Sequence, residues 1–221
     1  GWESETDDAY DQRYYREWSH ELTPMRFPGH ALEIDLHHTI SPVTSRIRAD
    51  DELLFAGKCN LAGAGRYAVL HPCDQIVHAA IHLFQDSELS NRLRDLVDID
   101  GLIRWATRSE ADWRELVRRS QCHGAGDALW YALHYCRTWL GSPVPGDLPL
   151  VPPPSWRRQL LDGIFEHASL PGLPDARVGF ARGLASRLGT LRYHWLRMPP
   201  GLLLRHGVAK LWRAGRRAAK D

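Results

Sequence analysis

ALEIDLHHTI, residues 31–40, alternates apolar and polar side chains with a period of two. Leu32, Ile34 and Leu36 fall on one face, and Glu33, Asp35 and His37 on the other. A period of two predicts a half-buried β-strand with its apolar face toward a core. The polar face is the most chemically loaded stretch of the chain. Glu33 and Asp35 project the same way, about 7 Å apart by strand geometry. Such a pair suits a hard divalent cation such as Mg²⁺, which takes oxygen ligands and neutralises charge in phosphoryl transfer. Spacing alone equally describes a solvated polar face.

Upstream, residues 1–24 are acidic and aromatic, with Tyr10, Tyr14, Tyr15 and Trp18 about one helical turn apart. They fit a short helix or an irregular lid. Residues 25–28 fit a short strand ended by the Pro28-Gly29 turn. Downstream, 50–55 fits a helical turn, 57–65 is loose, and 66–70 fits a second short strand. His71-Pro72-Cys73-Asp74 has the form of a helix start, with proline near the first turn and an acid behind it. Apolar periodicity then predicts helices through 76–84, 93–105, 112–117 and 127–140, with Ser90 or Asn91 as a cap for the second. The proline-dense stretch 142–154 reads as a linker. Three further helical stretches follow, 155–168, 175–197 and 200–219.

The chain has 221 residues, 43% of them apolar and 25% charged, a balance ordinary for one or two folded domains. No apolar run reaches the roughly 18 residues of a spanning helix, and GWESETDD at the start lacks the basic and apolar regions of a signal peptide. Cys59, Cys73, Cys122 and Cys136 form no CxxC pair. Scattered cysteines of this kind point to reduced thiols and a cytoplasmic compartment. The net charge of +1 hides a gradient. Residues 1–60 carry 6 Lys/Arg against 12 Asp/Glu, net −6; residues 155–221 carry 13 against 4, net +9. The basic end suits either an acidic partner or membrane surface or the acidic N-terminal part of the same chain. Within it, 199–221 combines Leu202, Leu203, Leu204, Leu211 and Trp212 with Arg205, Lys210 and Arg213, an amphipathic pattern compatible with an anionic membrane. No strong nucleic-acid signal accompanies it.

Histidines make a second constellation. His78 and His82, four apart, share a helix face, but the intervening Ala79-Ala80-Ile81 offers no general base of the HExxH kind. Hydrogen-bonded histidines are the plainer expectation, with Asp98 as an acid available to pair with them. Together with His37, His38 and His71 they also allow a metal-dependent hydrolase of helical type. No phosphate loop, GxGxxG or GxSxG is present.

The order of motifs resembles a known family. DLHH (35–38) is followed by VLHPCDQIVHAAIHLF (69–84), RLRDLVDIDGLIRW (92–105), DWRELVRRS (112–120) and ALHYCRTWLGSPVP (132–145). This run is similar to the later part of a bacterial family of uncharacterised nucleotidyltransferases related in fold to DNA polymerase beta. The resemblance covers roughly 1–146. It implies an α+β, mostly helical fold: a remnant of a small mixed nucleotidyltransferase sheet followed by a helical bundle. The implied organisation is the end of an α/β domain at 1–70, a helical domain at 71–146, a linker at 147–154 and a basic helical tail at 155–221.

The implied activity is transfer of a nucleoside monophosphate from an NTP to an unknown acceptor, with Mg²⁺ at the carboxylates. Asp35 matches the third metal-binding carboxylate of the catalytic strand, and His37 the histidine two residues on; Glu33 shares their face outside the match. The family's Gly-Ser turn and Asp-x-Asp strand have no counterpart before Asp35. The chain is therefore expected to correspond to a C-terminal portion and to be inactive by itself. The alternative is a non-catalytic adaptor or binding module that uses the basic C-terminal helices on a membrane surface or acidic partner.

Overall fold

A computed structural model describes residues 1–63, 65–85, 88–171, 179–205 and 207. Helices dominate. A small antiparallel sheet precedes them, in the order β1 (Glu3–Ser4), β2 (Met25–Arg26), β3 (Glu33–Ile34), and helix α1 (Ala9–Trp18) lies between its first two strands. Asp8 opens α1 by accepting from the backbone N–H groups of Tyr10 and Asp11. After α2 (Asp51–Ala56) comes a hairpin of β4 (Cys59–Asn60) and β5 (Ala68–Val69). Then follow α3 (Pro72–Phe84), α4 (Leu93–Ala106), α5 (Glu110–Cys122), α6 (Gly126–Leu140), α7 (Ser155–Ala168), α8 (Phe180–Arg197) and a helical segment at 200–205. The fold is α+β and mostly helical.

The strand expected over 31–40 is far shorter. Only Glu33–Ile34 is strand, and an isolated bridge joins His37 to Glu21. Nor is one face buried: Leu32 is 61% and Leu36 51% exposed. Two-residue strands make a sheet too small to bury a face of its own, so alternation here does not separate inside from outside.

The helical expectations fare better because the core follows them. Ile76, Val77, Ala80, Ile81, Leu83 and Phe84 of α3 are fully buried and meet Leu96, Ile99 and Ile103 of α4, Leu116 of α5, and Leu129, Ala132 and Tyr135 of α6 in one cluster. Each such large side chain contributes about 1.5–3 kcal/mol by leaving water. The helix start at 71–74 has His71 Nδ1 accepting from the Cys73 N–H, with Pro72 in the first turn. Helix α5 begins at Glu110 rather than 112: Ser109 and Asp112 form a reciprocal capping box. Gly141 closes α6 in the left-handed conformation.

Two other expectations change. The α4 cap is Arg92, without a side-chain cap bond. Ser90 instead hydrogen-bonds Ser186 of α8, and Asn91 accepts from Arg182. The proline-dense stretch is a strap rather than a free linker, since Val144, Leu148 and Leu150 pack on the core. Helix α7 continues that core through Leu161, Ile164, Phe165 and Ala168. Helix α8 approaches closely through Gly189, where a Cβ would lie 2.6 Å from the Glu88 carbonyl oxygen.

The basic end and the acidic beginning do meet. Arg197 donates to Ser19 Oγ at 3.0 Å, and Thr44 Oγ1 donates to the Arg197 carbonyl at 3.0 Å. Most of 199–221, where a membrane or acidic partner was expected to dock, lies outside the described residues.

Candidate functional site

The bridge between Glu21 and His37 sets the geometry beside the DLHH motif. Leu22 N–H donates to the Leu36 carbonyl and His38 N–H to the His20 carbonyl, each at 2.9 Å. Glu21 and His37 therefore form the pair between those bonds, the register in which opposed side chains stand closest. His37 Nε2 lies 3.6 Å from Glu21 Oε2. His20, in the bend after α1, turns onto the same side, with Nε2 4.0 Å from that oxygen and its ring 4.9 Å from the His37 ring. From α3, the His78 ring stands 6.2 Å from that of His37.

These imidazoles differ in exposure. His20 is 5% exposed. Its burial, reinforced by His37, pushes its pKa down to about 3. Burial, with His82 and His37 behind it, pushes half-buried His78 down to about 4. Both are neutral near pH 7, so each has one unprotonated ring nitrogen able to ligate a metal. His82 is exposed on the same helix.

The residues singled out from sequence are only partly assembled. His37 lies within the cluster. Asp35 is exposed, and among the described residues no hydrogen bond or ion pair holds it. Glu33 is directly opposite Arg26 in the sheet and pairs with it at 3.4 Å, while Arg26 also reaches Glu5. Among the described residues, the only three donors that gather within ligating reach of one another are His20, Glu21 and His37. Neither Asp35 nor Glu33 joins them. Of the other histidines, His38 is exposed and His71 caps α3. His20 and Glu21 carried no sequence signal, since neither belongs to a periodic pattern.

The acid expected to pair with the histidines was Asp98, which is exposed on α4. Asp74 is the buried one, fully enclosed at the start of α3. Arg119 Nη1 donates to its Oδ2 at 2.5 Å, and Arg119 Nε donates to Glu115 at 2.7 Å. The Asp50 N–H donates to His123 Nδ1, which leaves the His123 proton on Nε2, 3.3 Å from Asp74 Oδ1. Asp74 shares its helix face with Val77 and Ile81, a phase readable from sequence.

A groove of about 950 Å³ runs between α6, α7, α8 and the loop at 46–47. Trp156, Leu160, Leu188 and Trp195 give it apolar walls. Arg192 enters it with Nη1 shielded from solvent and no hydrogen-bond partner among the described residues. Burial pushes that guanidinium down to about 10.

A mostly helical α+β protein with a histidine- and carboxylate-bearing strand edge is thus the class that fold and site define. The chain belongs to the family described as uncharacterised nucleotidyltransferase, whose model matches residues 1–141. No curated protein and no solved structure matches it. Among the described residues, no helix is long and apolar enough to cross a membrane.

Proposed function

We propose that this nucleotidyltransferase-like protein serves transfer of a nucleoside monophosphate from an NTP to an acceptor, and that these 221 residues do not complete the reaction unaided. The observation that carries this reading is the family match over 1–141, which includes Asp35 as an exposed, uncommitted carboxylate beside His37. Asp35 would meet the nucleotide's phosphates through the Mg²⁺ that the NTP carries as substrate, and His37 would lie next to them.

The fit to a Mg²⁺ held by these protein groups alone is poor. A hard cation wants several oxygen ligands, whereas Glu33 is tied to Arg26 and the gathered donors are two imidazoles and one carboxylate. The test is incubation of the purified chain with Mg²⁺ and each labelled NTP in turn, followed by binding and incorporation. Binding weakened by Asp35→Asn, without incorporation, is the expected pattern. Robust incorporation overturns the incompleteness, and failure to bind any NTP overturns the transferase reading.

A second reading, a binding module at the C-terminal helices, is favoured by the bare Arg192 Nη1 in an apolar groove. A shielded guanidinium calls for a carboxylate or phosphate, and the walls call for an alkyl or aromatic body. The fitting partner is a single-chain anionic amphiphile. Titration with dodecyl phosphate below its micellar concentration should show saturable binding lost in Arg192→Gln; identical behaviour of the two proteins removes this reading.

A further inference from the structure

We propose that His20, Glu21 and His37 bind a divalent transition metal of the zinc type, at a site separate in chemistry from a magnesium site for nucleotidyl transfer. The first support is donor identity. Two imidazole nitrogens and one carboxylate oxygen form a borderline ligand set that zinc accepts and magnesium does not favour.

The second is geometry. The three donor atoms lie within 4.8 Å of one another, with Glu21 Oε2 3.6 Å from His37 Nε2 and 4.0 Å from His20 Nε2. A tetrahedral zinc with bonds of about 2.0–2.1 Å holds its ligand atoms roughly 3.3 Å apart. Small side-chain rotations close that difference.

The third is rigidity. The Glu21–His37 register is set by two backbone hydrogen bonds on either side of the pair. His20 follows directly on Ser19, which is fixed by Arg197 from the end of α8. A site held by backbone pairing loses little freedom on binding a metal.

The fourth is charge. Among the described residues no lysine or arginine forms an ion pair with Glu21; the cationic-capable groups within 4.0 Å of its carboxylate are the two imidazoles. A cation among the three donors would compensate a carboxylate that is only partly solvated. The His78 ring, 6.2 Å from that of His37, is a further imidazole beside the three donors, and a water could equally fill the fourth position of a tetrahedral zinc.

This inference does not depend on the transferase reading, because the metal is measured without nucleotide. The experiment uses the full chain without a histidine tag, stripped with a chelator, and titrated with Zn²⁺ by calorimetry and with Co²⁺ by absorption. One equivalent should bind, with tetrahedral cobalt bands and no thiolate charge-transfer band. Glu21→Gln and His37→Gln, whose side chains reach solvent, should each weaken zinc by about 10–100-fold with unchanged circular dichroism. Excess Mg²⁺ should not displace the zinc. Absence of saturable binding, affinity in both variants unchanged from the parent chain, displacement by Mg²⁺, or a thiolate band removed by Cys59→Ser or Cys122→Ser would overturn the proposal.

Discussion

Helices α3 to α7 and the leading sheet, β1 to β3 with the Glu21–His37 bridge, are held by different means. In the helical part, side chains from five elements share one core, and its buried acid Asp74 is matched by Arg119 and His123. In the leading sheet, two-residue strands leave Leu32 and Leu36 exposed, and charged or polar side chains pair across it, Arg26 with Glu33 and, at the adjoining bridge, Glu21 with His37. The first arrangement makes stability depend on volume and on complete polar pairing. The second makes stability nearly indifferent to single surface contacts, and leaves ionisable groups accessible for binding.

The largest break in that contrast should come from Asp74→Asn. It leaves Arg119 buried without its carboxylate and should cost about 3–5 kcal/mol, read by chemical denaturation. A loss under about 1 kcal/mol would mean that the pair is not enclosed as described.

Gly189→Ala comes next. The new methyl would meet a backbone carbonyl at 2.6 Å, which only movement of α8 can relieve. Overpacking of this kind costs about 1–3 kcal/mol, and a shift in denaturation midpoint reads it. An unchanged or raised midpoint would show that α8 has room to spare.

The histidine cluster, where the two regions touch, sharpens the comparison through pH. His20 and His78 are depressed to about 3 and about 4 from the 6.5 of the unfolded chain. The unfolded state therefore takes up protons first as pH falls. Stability from these groups is full above about pH 6.5 and declines as pH falls toward 4 and then 3, by up to about 1.4 kcal/mol per pH unit for each. In chelator, the two groups together should lower stability by up to about 3–4 kcal/mol between about pH 7 and pH 5, and His78→Gln should remove about half of that drop. A flat profile would contradict their burial.

The smallest effect belongs to the leading sheet. Glu33→Gln removes an ion pair whose side chains are 59% and 40% exposed. It should change stability by under about 0.5 kcal/mol. A larger loss would show that the thin sheet is more cooperative than its exposure implies.

Much of the fold was legible in the sequence. The period of 3.6 residues placed α3, α4 and α6 within a residue or two, because a helix buries the same stripe whatever packs on it. The start at His71-Pro72 was legible for a local reason, since a cap needs only its own next turn. The cap at Ser90 or Asn91 was not, because those side chains found partners on α8, nearly a hundred residues away. Periodicity misled at 31–40, where alternation met no layer to bury it.

The candidate site divides the same way. Composition and motif order singled out Asp35 and His37 and led to the family, because those are properties of residue type and spacing. The convergence of His20, Glu21 and His37, the enclosure of Asp74 in place of Asp98, and the diversion of Glu33 to Arg26 arise only in three dimensions. Polar side chains carry no period that announces their partners. Which of them meet depends on backbone register and on helices brought together across long stretches of chain, and tertiary structure alone decides that.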